Sequence, residues 1–200
     1  EIPTKLCKQS RAIKTLMVLP PDTNHYGTMF GGKVMANIDD VAAIAATRHA
    51  RTSVVTASTD SVDFLHPIKE GQSVCLEAFV VWTHGTAVEV FVKVVAEEML
   101  TGERTVCATS FVTFVTLAVN GERKLAPGVI PETELEKLLY DEALARAKKR
   151  MAKRAASKSL AKKFGTDTPL PPSTTFQSAS AEAKGPAPGE GYARRVVPGS

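Results

Sequence analysis

Val88, Val90, Val92 and Val94 interleave with Glu89, Phe91 and Lys93, an apolar/polar alternation with a period of two. Such a period puts alternate side chains on opposite faces of a pleated strand. Four stretches have this strand character: SVVTASTDSVDF (53–64), SVCLEAFVVWT (73–83), AVEVFVKVVAEEM (87–99) and RTVCATSFVTFVTLAV (104–119). All are rich in β-branched residues. Their connections, HPIKEGQ, HG and LTGE, are short, which suits antiparallel neighbours better than crossover helices. A shorter run at 12–19 stops at Pro20 and Pro21 and leads into the turn-forming, glycine-rich DTNHYGTMFGG. Between that loop and the strands, FGGKVMANIDDVAAIAAT changes the period to that of a helix, predicted from about Gly32 to Ala50. The order β, α, then four β predicts an α+β domain, in which a long antiparallel sheet packs one face on an early helix and turns the other to solvent or a partner.

From Pro131 the pattern changes again. ETELEKLLYDEALARAKKRMAKRAASKSLAKKF leads with acids and trails with bases, as a helix dipole favours, and pairs Glu142 with Arg146 at i,i+4. It reads as one solvated helical extension over 131–164. Residues 165–200 are mostly Pro, Ser, Gly and Ala with few large apolar groups, and are expected to be disordered. No internal repeat is visible.

Composition narrows the class. Two hundred residues with 44% hydrophobic content suffice for one core plus an appendage. No apolar run approaches the roughly 20 residues of a membrane helix, and the opening EIPTKLCKQSR lacks the pattern of a secretory leader. A soluble, cytoplasmic protein without membrane insertion is expected. Cys7, Cys75 and Cys107 have no zinc or CxxC spacing and read as reduced thiols. Charge is unevenly spread: residues 1–145 hold 13 basic against 18 acidic residues, whereas 146–163 hold nine basic and none acidic.

The candidate chemistry lies on the early helix. A carboxylate buried without partners costs several kcal/mol, yet Asp39 shares its helical stripe with Met35, Ala42 and Ala46. Asp40 falls on the more polar side. Upstream stand Asn24 and the glycines Gly31 and Gly32, where the free N–H groups and positive dipole end of the helix suit a developing negative charge. A carboxylate, an amide side chain and free N–H donors are what addition of water to an activated carbonyl requires. Eight residues of rigid helix, however, separate Gly31 from Asp39 by about 12 Å. The economical solution is a two-fold dimer, with Asn24 and the N–H donors of one chain facing Asp39 of the other.

These residues, PPDTNHYGTMFGGKVMANIDD, then VVTASTDSVDFLHPIKEGQ and HGTAVEVFVKVVAE, closely resemble the hotdog-fold acyl-CoA thioesterases of the cytosolic acyl-CoA hydrolase type, whose single-domain bacterial form is YciA-like. The resemblance covers residues 8–125. It implies an antiparallel sheet wrapped around the helix, dimers joined through the sheet and a trimer of dimers, a homohexamer. It also implies hydrolysis of acyl-CoA to fatty acid and coenzyme A. Asn24 and Asp39 carry over as functional positions, Gly31 or Gly32 as the oxyanion donor, and Thr56 as a further candidate for placing water. Asp39 would act as general base or attack directly to form a mixed anhydride. No metal is implied, and coenzyme A enters only as part of the substrate. Relatives often carry Gly-x-Ser-Ser or Gly-x-Thr-Ser where this chain has Gly85-Thr86-Ala87, so one hydroxyl that would contact coenzyme A is missing.

Other readings were weighed against this one. His25, His49, His66 and His84 are dispersed, with no Ser or Cys in a nucleophile motif, and receive no chemistry. Asp60 and Asp63 are expected on an outward face. The basic run 146–163 reads first as a solvated helix face, second as an attractor of coenzyme A phosphates, and last as a nucleic-acid or membrane contact, because no aromatics interleave with its lysines. From another class, a non-catalytic acyl-CoA sensor shares the fold requirement. A hotdog dehydratase would need a catalytic His and a downstream Glu that have no counterpart here.

Overall fold

The computed structural model describes residues 2–164; the tail expected to be disordered, 165–200, lies outside them. In chain order the elements are β1 (Thr4–Leu6), β2 (Ala12–Met17), α1 (Gly31–Ala50), β3 (Val54–Thr59), β4 (Asp63–Phe64), β5 (Ser73–His84), β6 (Ala87–Glu97), β7 (Arg104–Thr116), β8 (Gly128–Ile130), α2 (Glu134–Asp141) and α3 (Ala143–Phe164). Five strands form an antiparallel sheet in the order β2-β5-β6-β7-β3, with β4 also paired to β7. Curled around α1, this sheet is the half-barrel of a hotdog fold.

The period-two valines explain the close packing of sheet and helix. Val88, Val90, Val92 and Val94 are all fully buried, and each stabilises the fold by about 1.5–3 kcal/mol relative to exposure. On α1 the buried residues are Val34, Ile38, Val41, Ala42, Ala45, Ala46, His49 and Ala50, a helical stripe whose small members let the helix approach the sheet closely. α1 ends at Arg51, in the left-handed conformation with φ 52°, its N–H returning to Thr47. The two-residue link from β5 to β6 works because Gly85 takes φ +59°.

Register assigns the two faces of the sheet. Thr56 stands opposite Phe114, and Phe114 opposite Val88; this face meets α1. Phe91 stands opposite Phe79 and Phe111, and the three rings touch, with centroids 5.8 Å and 5.3 Å apart. Glu89 lies on that second face, yet it is fully buried rather than solvated. Arg146 and Arg150 of α3 cover it.

The extension differs from a single solvated helix in two ways. It breaks at Glu142 into α2 and α3, and Thr133 caps α2 through a complete capping box with Glu136. The start of α3 is also pinned to the sheet. Its last residues, from Ser159, belong to a unit separate from residues 1–158. β1 and β8 form a short parallel pair that the sequence pattern does not predict. Among the described residues no helix is long and apolar enough to cross a membrane.

Candidate active site

Asp39 sits two turns into α1, half-buried, and its Oδ1 accepts a hydrogen bond of 2.9 Å from Thr56 Oγ1 on β3. A bulge aims that hydroxyl. Thr56 pairs with Phe114 and Ser58 with Thr113, so Ala57 is the extra residue and β3 twists just beyond Thr56. The neighbouring carboxylate is used differently: Asp40 is exposed and forms a 2.8 Å ion pair with Lys14.

At the other end of this stretch of helix, Phe30 is the N-cap residue and supplies no side-chain cap. The Gly31 and Gly32 N–H groups occupy the first helical positions, where an α-helix offers no internal acceptor. The missing Cβ of Gly32 matters for space, since one there would stand 2.6 Å from the Phe30 ring. The loop leading in is held by Phe30 N–H to Asp22 carbonyl (2.8 Å) and by Met29 N–H to Ile68 carbonyl (2.8 Å). Met29, Gly31, Val34, Phe64, Pro67 and Ile68 line a mostly apolar cavity of about 350 Å³ beside the glycines.

Asn24 is half-buried in that loop and engaged locally. Its Nδ2 donates to Thr28 Oγ1 (3.0 Å), and its Oδ1 accepts from the N–H groups of Tyr26 (2.9 Å) and Thr28 (3.3 Å). These are the bonds of a residue that closes its own turn. Within one chain, therefore, Asp39 and Thr56 meet, while Gly31 opens the helix about 12 Å away and Asn24 lies in the loop before it.

Two of the three thiols are buried and held protonated. Burial, with the Glu136 carboxylate adding to it, pushes Cys7 up to about 12, and burial also raises Cys107. His49 is fully buried at the end of α1, its Nε2 against the Pro127 carbonyl at 2.9 Å, and burial lowers its pKa. Among the described residues no three His, Cys, Asp or Glu side chains gather as a metal site would need. Two features escaped sequence reasoning: the cavity wall from Phe64 to Ile68, and the buried Glu89 with its arginines. Only Glu89 had a signal, a carboxylate flanked by Val88 and Val90 near the start of a largely apolar strand.

The thioesterase superfamily profile matches residues 26–103. The chain is 51% identical over 166 residues to the uncharacterized acyl-CoA thioester hydrolase YkhA of Bacillus subtilis, a match covering 83% of this chain and 96% of that one. An acyl-CoA hydrolase from Staphylococcus aureus, solved in complex with butyryl coenzyme A, coenzyme A and coenzyme A disulfide, gives a TM-score of 0.77 at 44% identity, over 81% of this chain and 99% of the other. That hydrolase has also been solved with an asparagine, an aspartate or a threonine replaced by alanine, and the three positions are spaced along its chain as Asn24, Asp39 and Thr56 are here. An apo-hexameric acyl-CoA thioesterase gives a TM-score of 0.74 at 50% identity, over 78% of this chain and 99% of that one.

Proposed function

This chain belongs to the thioesterase superfamily, and on that premise we propose that it hydrolyses acyl-CoA to a free fatty acid and coenzyme A. The observation that carries the reading is Asp39, held by Thr56 of β3 and set on the same helix as the N–H groups of its first turn but two turns away from them.

The proposed centre is shared between two chains. Asp39 of one protomer takes a proton from water as the water oxygen attacks the thioester carbonyl carbon. Thr56 orients the carboxylate by bonding one of its oxygens, leaving the other for the water. Charge gathers on the carbonyl oxygen, which the Gly31 and Gly32 N–H groups of the neighbouring protomer stabilise. The carbon–sulfur bond then breaks, and the proton passes to the departing coenzyme A thiolate. Asn24 holds the loop that presents the glycines, bonding Tyr26 and Thr28 within it. No metal is required, and coenzyme A enters only with the substrate.

The assembly proposed is a dimer with helices side by side, repeated as a trimer of dimers, which the hexameric relative supports. Cytoplasmic placement is part of the same proposal, in keeping with three unpaired cysteines. The test is thiol release from a panel of acyl-CoA esters by the oligomer, run beside Asp39→Ala. Turnover that vanishes in the variant supports the reading, whereas tight acyl-CoA binding without hydrolysis by the native protein would make it a sensor.

A further inference from the structure

The sequence pattern gives His66 no chemistry, yet the fold sets it in the cavity beside the start of α1. One contact on each side of it holds the 64–68 segment there. Phe64 lies against Gly31, where a Cβ would stand 3.7 Å from the tip of the ring, and the Ile68 carbonyl accepts the Met29 N–H at 2.8 Å. Among the described residues lining the cavity, His66 is the only titratable side chain.

The imidazole is braced against β7. Its Nδ1 stands 3.1 Å from the Val106 carbonyl, and the backbone N–H groups of Leu65 and His66 both donate to the Cys107 carbonyl, at 2.8 Å and 3.3 Å. A carbonyl can only accept, so Nδ1 carries the hydrogen. This fixes the tautomer and leaves Nε2 as the position that can take up a proton and give it away.

Burial grades the cavity from floor to mouth. Met29, Val34 and Ile68 are buried and apolar, whereas Phe64, Leu65, His66 and Pro67 are exposed. An acyl chain suits the floor, and a departing thiol has to leave through the mouth. The sulfur is bonded to the same carbon whose oxygen the glycine N–H groups would hold, so it passes the rim where His66 stands.

Resting on the hydrolase reading above, we propose that His66 is the acid of the reaction, serving the centre that uses the glycines of its own protomer and Asp39 of the neighbouring one. As the carbon–sulfur bond breaks and its electron pair moves onto sulfur, the Nε2 proton passes to that sulfur. The products are the free thiol and the carboxylic acid. The proton that Asp39 took from water then returns to the neutral imidazole through solvent. Each turnover consumes one water and leaves both side chains as they began.

Thiol release by the oligomer from two esters of one acyl group tests this. One is the coenzyme A ester; the other is the ester of nitrothiophenol, whose thiolate leaves without a proton at neutral pH. No turnover of either ester by the native protein would end the hydrolase reading and this proposal with it. His66→Asn keeps an N–H for the Val106 carbonyl but delivers no proton. It is expected to lower kcat for the coenzyme A ester at least about tenfold and to leave the nitrothiophenol ester within about twofold of the native value. With the native protein active, an equal loss on the two esters overturns the proposal. So does native kcat in His66→Asn, whether or not His66→Ala, which also removes the brace, has lost activity.

Discussion

Thr56 Oγ1 and Asp39 Oδ1 meet at 2.9 Å across the interval between β3 and α1, joining two residues that the second half of the helix separates along the chain. One sheet bulge and one helical turn set this contact. It leaves Asp39 with a free oxygen and Asp40, its neighbour, tied to Lys14 at the surface. The two acids are therefore separable by experiment.

Asp39→Ala should leave a folded oligomer and lower kcat by at least about 100-fold, the scale of losing a positioned general base. Asp40→Ala removes only an exposed ion pair of small worth and should be nearly silent. Steady-state thiol release on both variants checks this, and equal loss in the two would mean that the acid has been misassigned.

Thr56 contributes through Asp39. A neutral hydrogen bond of about 1 kcal/mol corresponds to roughly a fivefold change in rate. Thr56→Ala should therefore lower kcat by about that factor with KM little changed, and Thr56→Ser, which restores the hydroxyl, should recover most of it. A loss that serine does not rescue would point to packing at the bulge instead.

Much of this was legible in the sequence, and the failures have a common cause. The valines of β6 and the alanines of α1 repeat with the periods of their own elements, so local pattern suffices to place them. Asp39 could be preferred over Asp40 on the same basis. Glu89 was misread because its partners, Arg146 and Arg150, lie 57 and 61 residues further on, in an element whose own pattern reads as solvated. β1 and β8 have three residues each, too few for any period, and pair across more than 120 positions. Asn24 shows the reverse limit: the loop explains its bonds completely, and only the proposed two-chain arrangement would give its neighbourhood a catalytic purpose.

Glu89→Ala should destabilise the protein by about 3 kcal/mol, because it removes the one fully buried carboxylate between two largely buried arginines and leaves them only the more exposed Asp60 and Glu142. Urea denaturation would register this as a lower midpoint. Replacing Glu89, Arg146 and Arg150 together by leucine should recover part of the loss, since the carboxylates then left unpaired, Asp60 and Glu142, still reach solvent. A single variant as stable as the native protein would mean that α3 is not held through this network.

The last prediction concerns pH. His49 is buried, and its Nδ1 has no partner, so a proton added there would be both desolvated and unbonded. Burial lowers its pKa from 6.5, outweighing the opposing hydrogen bond to the Pro127 carbonyl, and the nearby Lys5 adds a lesser lowering. The folded state thus binds this proton less readily than the unfolded chain does. Its contribution to stability is present above about pH 6.5 and is lost as pH falls from there towards the folded-state pKa. Thermal midpoints measured from pH 7.5 down to 5.5 should decline in the native protein. His49→Gln, which keeps a donor for the Pro127 carbonyl but does not titrate, should flatten that decline; an unchanged profile would assign it to other groups.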